Sequence, residues 1–347
     1  MPEFCGDLAQ GVIDLDEDAS SAAMRGIIGS LDAAGPAELT EGVRRLLPAV
    51  RQVSIGNGGQ LAQVAAGLVE AGADPFVLLD VLVERVTDGL EQAVRFPVLA
   101  EKDGGAFEAP GSQEEADALI DRAARAAAQA GIGREEGIGI TEAFFTVDDW
   151  IPSLLLPLQQ KRVRQAFPGR DRLAAAADAM SGYADAAPWL HGLLRVVDDE
   201  PFLVVHRPTG RAFRLTLSGV GDNFQLHTLL AATLIGDPAR GLIEGERPAP
   251  AWIAAATDGP DLQPAGGVRG QFELFGADGE RIWGEGRPAD IPILDGHRVV
   301  VLDRPSYARA WNTGRVYPLM HPEISLDRTL PATEAAAWLS KITDPSH

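Results

Sequence analysis

A chain of 347 residues exceeds what one small core usually organises, and a hydrophobic share of 46% with mean hydropathy of −0.01 is a globular composition, not a disordered one. A formal charge of −20 repels nucleic-acid phosphates and anionic headgroups, so no nucleic acid and no membrane is expected as a partner. A single cysteine, Cys5, excludes an intramolecular disulfide and a cysteine metal knuckle, and no apolar run reaches the roughly 18 residues of a membrane span.

The opening residues, MPEFCGDLAQGVIDLDEDAS, have neither the basic nor the apolar region of a secretory signal, and the protein is expected in the cytoplasm. Asp14, Asp16 and Asp18 have calcium-loop spacing. Ala19 stands where that loop needs glycine and Arg25 where it needs glutamate, so the stretch reads as a solvated acidic tail.

From about Ala19 to Gly131 the apolar spacing is helical. Leu61, Val64, Ala65, Leu68 and Val69 share one face, and Val77, Leu78, Val81, Leu82, Arg85, Val86 and Leu90 another, after Asp74-Pro75 as a helix start. Ser112 with Glu115 forms a capping-box pair, and Gly131 ends that helix. Short turns between helices predict antiparallel pairs in a helical layer. Phe96 to Gln113 reads as a long surface loop.

Composition then changes. All six Trp and all three Tyr fall between Trp150 and Trp338, which suggests a helical region over 1–147 and an α+β region over 148–347. Aromatic rings with polar tips are common material of binding surfaces, so function is expected in the second region. Lys161, Arg162, Arg164, Arg170 and Arg172 form a basic cluster that reads as a solvated helix end.

Three runs, LLRVVD, PFLVVHR and RAFRLTL, are joined by DE and PTG and predict an antiparallel meander over about 193–217. Phe202 to Val205 is apolar on both faces and should be central. A second antiparallel group, GQFELFG, RIWGEG and RVVVLD, is expected over about 271–303. The fold class is therefore α+β: a helical layer followed by an antiparallel meander sheet with packed helices.

Between the strand groups lies SGVGDNFQLHTLL. A dinucleotide fingerprint would need glycine where Phe224 stands, and a phosphate loop would need Lys and Ser or Thr, so neither applies. Asp222 followed by Gln225 instead predicts a capped helix start, with His227 on the same face as Phe224, Leu230 and Ala231. His227 is either a core or boundary residue or a general base held by Asp222 or by a strand-end neighbour such as His206. In WGEGRPADIP, Trp283, Glu285, Arg287 and Asp290 leave a strand on a stiff loop, and Tyr307, Arg309 and Trp311 add an aromatic–cation group. The remaining histidines are scattered and no metal-ligand motif occurs, so no metal and no cofactor is assigned.

The stretches GVGDNFQLHTLL, IWGEGRPADIPILDGHRVVVLDRPSYARAW and GGQLAQVAAGLVEAGADP resemble a family of uncharacterised bacterial, mainly actinobacterial, proteins. That resemblance implies an intracellular bacterial protein acting as one unit and carries no catalytic residue. Two functions stand. One is a non-catalytic protein recognising a protein, peptide or small molecule through Trp283, Arg287, Tyr307, Arg309 and Trp311. The other is a cofactor-independent enzyme using His227 or His206 with Glu285 or Asp290 as acid and base.

Overall fold

The composition changes at Trp150, but the chain divides later: Met1–Leu194 form one unit and Arg195–His347 another. The computed structural model describes residues 1–102, 104, 108–259 and 264–345. Trp150 belongs to the core of the first unit, which is why the aromatic boundary at 147 is not the division. Its ring is fully buried, its indole N–H donates to the Ile55 carbonyl at 2.7 Å, and the Arg85 guanidinium lies 5.0 Å from the ring centroid.

The first unit is helical among its described residues. It runs through α1 (Pro2–Ile13), α2 (Glu17–Ser30), α3 (Pro36–Gln52), α4 (Ile55–Glu70), α5 (Phe76–Ala93) and α6 (Phe96–Lys102). There follow α7 (Gln113–Ala130), α8 (Arg134–Thr146), α9 (Ile151–Leu158), α10 (Lys161–Arg164), α11 (Arg170–Met180) and α12 (Ala187–Leu194). The apolar positions read as helix faces in α4 and α5 are buried, apart from the half-buried Val64 and Val77, as amphipathic spacing requires.

Three local expectations are corrected here. The acidic N-terminus is not a tail: it forms α1 and the start of α2, and Asp16 caps α2 by accepting the Ala19 N–H at 2.9 Å. Phe96 to Gln113 is not wholly a loop, because Phe96 and Leu99 are buried in α6 and Phe96 stacks on Phe144 at 4.3 Å; residues 103 and 105–107 lie outside the described residues. The basic cluster is not uniformly solvated. Arg164 is 2% exposed and donates from Nη1 to the Leu158 and Gln159 carbonyls, each at 2.8 Å, satisfying the otherwise orphaned end of α9. Arg172 is a surface residue bound to Asp88 and Glu91 of α5.

The second unit contains β1 (Glu200–His206), β2 (Arg211–Ser218), α13 (Asn223–Leu234), α14 (Pro250–Ala256), β3 (Val268–Arg269) and β4 (Glu273–Phe275). It continues with β5 (Ile293–Leu294), β6 (His297–Asp303), β7 (Ala310–Trp311), β8 (Glu323–Thr329) and α15 (Ala332–Leu339). The main sheet has the order β4-β6-β1-β2-β8, with β5 also on β6, while β3 and β7 pair separately. The fold is α+β: helices first, then a mixed, mostly antiparallel sheet.

The meander is only half present. β1 and β2 form the expected hairpin across Pro208-Thr209-Gly210, but Leu193 and Leu194 finish the buried face of α12 and supply no strand. The other neighbour of β1 is β6, and that pairing is parallel, with Val204 opposite Val300. A strand paired parallel at the sheet centre is buried on both faces, which is what the continuous apolar run records. Phe202 and Val204 point into the layer holding Leu226, Leu230 and Leu234 of α13. Leu203 and Val205 point into the layer holding Ala335 and Trp338 of α15.

The second strand group is also modified. GQFELFG contributes β4 and RVVVLD contributes β6, but RIWGEG is no strand. After one bridge, Arg281 to Phe275, and an Ile282 N–H bond to the Leu274 carbonyl, this segment turns away from the sheet toward α13.

Candidate functional site

The stretch that resembles a phosphate loop is a helix start built for another purpose. Gly219 has φ +67°, and a Cβ there would lie 2.9 Å from the His321 carbonyl oxygen, so only glycine turns the chain at this point. Asp222 caps α13 by accepting the Gln225 N–H at 2.7 Å. Gln225 reaches back one residue further than a capping box requires, taking the Gly221 N–H at 2.8 Å, and its amide donates to the Ala256 carbonyl. Ser112 and Glu115 repeat this pattern, with Glu115 accepting from Gly111.

The next N–H groups of α13 are occupied as well. Asn223 N–H donates to the Gly286 carbonyl at 2.9 Å, Phe224 N–H donates to Gly284 at 3.0 Å, and the Asn223 side-chain amide donates to Trp283 at 2.8 Å. The segment leaving β4 is thereby clamped across the helix N-terminus, which leaves no place there for a phosphate. Gly284 makes the clamp possible: a Cβ would sit 2.4 Å from the Phe224 ring.

The clamp forms one wall of a cavity of about 160 Å³. Asn223, Phe224 and His227 line it from a single turn of α13, as their three- and four-residue spacing dictates. Arg281 and Trp283 come from the clamp, and Tyr307, Arg309 and Trp311 from the segment that carries β7. Pairing of β7 with β3, and of the Gly270 N–H with the Arg309 carbonyl at 2.9 Å, holds that last segment. Phe224 and Trp311 pack against one another, ring centroids 5.4 Å apart and planes tilted by 41°, and Trp283, 65% exposed, stands at the rim.

His227 is 2% exposed. Its Nε2 accepts from the backbone N–H groups of Gln271 and Phe272, both at 3.2 Å, so the proton of the neutral ring is on Nδ1. Burial, reinforced by the Arg309 charge, pushes its pKa down to about 3. Arg281 pairs with the nearly buried Glu273 at 2.9 Å. Arg309 donates to the Phe272 carbonyl at 3.2 Å and lies 5.5 Å from the Trp311 ring centroid, with no carboxylate in ion-pair range among the described residues. A hydrogen bond from Arg281, then its charge, holds the exposed Tyr307 phenol below its ordinary range.

Four of the eight buried side-chain atoms that lack a hydrogen-bond partner among the described residues belong to lining residues, Asn223 Oδ1, His227 Nδ1, Arg309 Nε and Trp311 Nε1, and each of these atoms is closed off from the open cavity. Three are donors and one an acceptor.

Of the residues singled out in the sequence, His227, Trp283, Tyr307, Arg309 and Trp311 meet at the cavity. His206, Glu285, Arg287 and Asp290 do not line it. His206 Nδ1 is bonded to Thr209 Oγ1 at 2.8 Å, Asp290 pairs with Arg195 at 2.8 Å, and Glu285 lies 3.4 Å from the Trp283 indole nitrogen. Among the described residues no carboxylate is hydrogen-bonded to His227. Sequence reasoning missed Asn223, Phe224 and Arg281 as lining residues. The first two were recoverable, because they share a helix face with His227.

No family model, curated protein or solved structure matches the chain. Roles for its residues come from geometry and chemistry alone. Among the described residues no helix is long and apolar enough to cross a membrane, and no group of three or more His, Cys, Asp or Glu could hold a metal ion.

Proposed function

We propose that the protein is a cytoplasmic, non-catalytic binding protein whose second unit holds a small molecule in the cavity beside α13. The observation that carries this reading is a cavity of about 160 Å³ lined by Phe224, Trp283, Tyr307 and Trp311 together with Arg309, which has no carboxylate in ion-pair range among the described residues. A free, buried Cys5 is in keeping with a reducing compartment. The volume suits a molecule built on a single ring, since an engineered cavity of roughly 150 Å³ accepts benzene. Neither a peptide nor a protein surface has that size.

The acid–base alternative gains no support from this geometry. The Nε2 lone pair of His227 is committed to two backbone donors, and Glu285 and Asp290 have other partners. Native mass spectrometry of the protein purified from its own host is the test. A retained small mass, lost in Trp311→Phe while the fold is kept, is the expected result. A ligand-free protein that also fails to shift its melting temperature with any small aromatic compound would sink the reading.

A further inference from the structure

Building on that reading of the cavity, we infer that its ligand is a small carboxylate whose charged group enters at the mouth against Arg309, taking the place that the Tyr307 phenol holds in the free protein. Two of the lining residues are arginines, Arg281 and Arg309, and none is acidic, in a chain whose net charge is −20. Glu273 stands behind Arg281 at 2.9 Å, outside the lining, and offsets one of the two charges. One cation is left in excess against largely apolar walls, where solvent screens it poorly.

Arg309 shows which part of its guanidinium is available. Its Nη2 donates to the Phe272 carbonyl and its Nε is enclosed. Nη1 is neither enclosed nor hydrogen-bonded among the described residues, so it is the group that Arg309 offers to the cavity it lines. One open, charged donor group matches a monoanion. The second charge of a phosphate would find no further donors, because the first N–H groups of α13 are engaged by Asp222 and by the Gly284 and Gly286 carbonyls.

Tyr307 marks where the anion goes. It is 59% exposed, and its phenol lies beside both guanidinium groups. A neutral phenol oxygen there is a weaker partner than a carboxylate, because the stronger hydrogen bonds are those with charge on both sides. Tyr307 also borders a neighbouring hollow with Arg269, Gln271 and Pro305, so rotation of its side chain has somewhere to carry the ring. Exposed side chains change rotamer within nanoseconds, and the phenol is no kinetic barrier to entry.

The test is calorimetric titration of the full chain with benzoate, benzamide and inorganic phosphate, in wild type, Arg309→Gln and Tyr307→Phe. Benzoate should bind wild type at least about tenfold more tightly than benzamide, and Arg309→Gln should bring the two within about twofold. Phosphate should bind more weakly than benzoate. Tyr307→Phe removes the competing oxygen, so benzoate affinity should rise about threefold or more while benzamide affinity stays within about twofold of wild type. Benzamide binding as tightly as benzoate overturns the carboxylate and leaves the cavity reading standing. Preferred binding of phosphate overturns the monoanion. A loss of benzoate affinity in Tyr307→Phe overturns the displacement, because the phenol would then be a contact to the ligand. Absence of binding by both ring compounds overturns this inference and the cavity reading together. If Arg309→Gln does not fold by circular dichroism, the wild-type comparison and Tyr307→Phe decide alone.

Discussion

His227 stands edge-on to Trp311, with ring centroids 4.7 Å apart and planes at 81°. The indole covers one side of an imidazole whose Nε2 is already spent on the Gln271 and Phe272 N–H groups. A histidine held this way is a neutral donor. It can recognise an acceptor but has no free lone pair with which to take a proton.

The first prediction concerns that tautomer. Long-range nitrogen–proton NMR should give His227 a protonated Nδ1 and an unprotonated Nε2 from pH 8 down to about 4. Its pKa is depressed, so between about 3 and 6.5 the unfolded chain binds the extra proton. The stability that the neutral ring contributes is therefore full above about 6.5 and declines as pH falls toward 3. A measured pKa near 6.5 would show that the ring is not enclosed as described.

Asp222 has the opposite dependence. Burial pushes its pKa up to about 6, against the lowering effect of the N–H groups it caps. Between 3.8 and about 6 the folded state holds the proton and the unfolded state does not, so stability falls as pH rises through this window. Asn keeps the cap and removes the charge. Asp222→Asn should match wild type near pH 3.5 and gain on it by roughly 2–3 kcal/mol at pH 7.5, measured by urea midpoints. A difference that does not change with pH would refute the assignment. Alanine is a poorer probe here, because it mixes cap loss with relief of the charge.

Two neighbouring arginines should behave differently. Arg164→Ala removes the donor for two helix-end carbonyls and empties a buried volume, and should cost about 2–4 kcal/mol. Arg162 is exposed, with its Nε bonded to Gln160 and its guanidinium 5.5 Å from the Phe76 ring centroid, so Arg162→Glu should change stability by less than about 1 kcal/mol. Equal losses in thermal melts would contradict the burial of one and the exposure of the other.

Gly284→Ala probes the clamp. The added methyl meets Phe224 at 2.4 Å, so the ring or the loop must move, at a cost of about 1–3 kcal/mol. Because the displaced ring lines the cavity, ligand affinity should fall more than stability. A variant with wild-type affinity for the retained ligand would show that Phe224 is not a working wall.

How far the sequence reaches depends on where each residue's partner lies. The hairpin at Pro208-Thr209-Gly210 was legible because its signal is local: Gly210, at φ +65°, sits between two apolar runs. The run LLRVVD misled because Leu190, Leu193 and Leu194 have helical spacing that a strand reading of the last two cannot exclude. RIWGEG has a strand's composition, yet its carbonyls are claimed by α13, some 60 residues earlier in the chain. Arg164 looks like one more surface cation until the end of α9 is seen beneath it. Aromatic density singled out Trp283 and the Tyr307–Trp311 segment, which the fold brings to one cavity. Nothing in the composition could separate Glu285 and Asp290, which face elsewhere, from Arg281, which lines the cavity.

The parallel contact of β1 with β6 has a consequence for how the second unit comes into being. Val204 and Val300 are about a hundred residues apart along the chain, so the centre of the sheet closes only after a long loop has been ordered. The β1–β2 hairpin involves no such wait. Folding is expected to be slow and to start locally, with the chemistry-bearing cavity last, since its walls come from segments near 224, 283 and 309. On a ribosome the cavity would not be complete until the segment carrying Trp311 had emerged, and a nascent chain stalled before β6 would offer β1 as an unpaired edge.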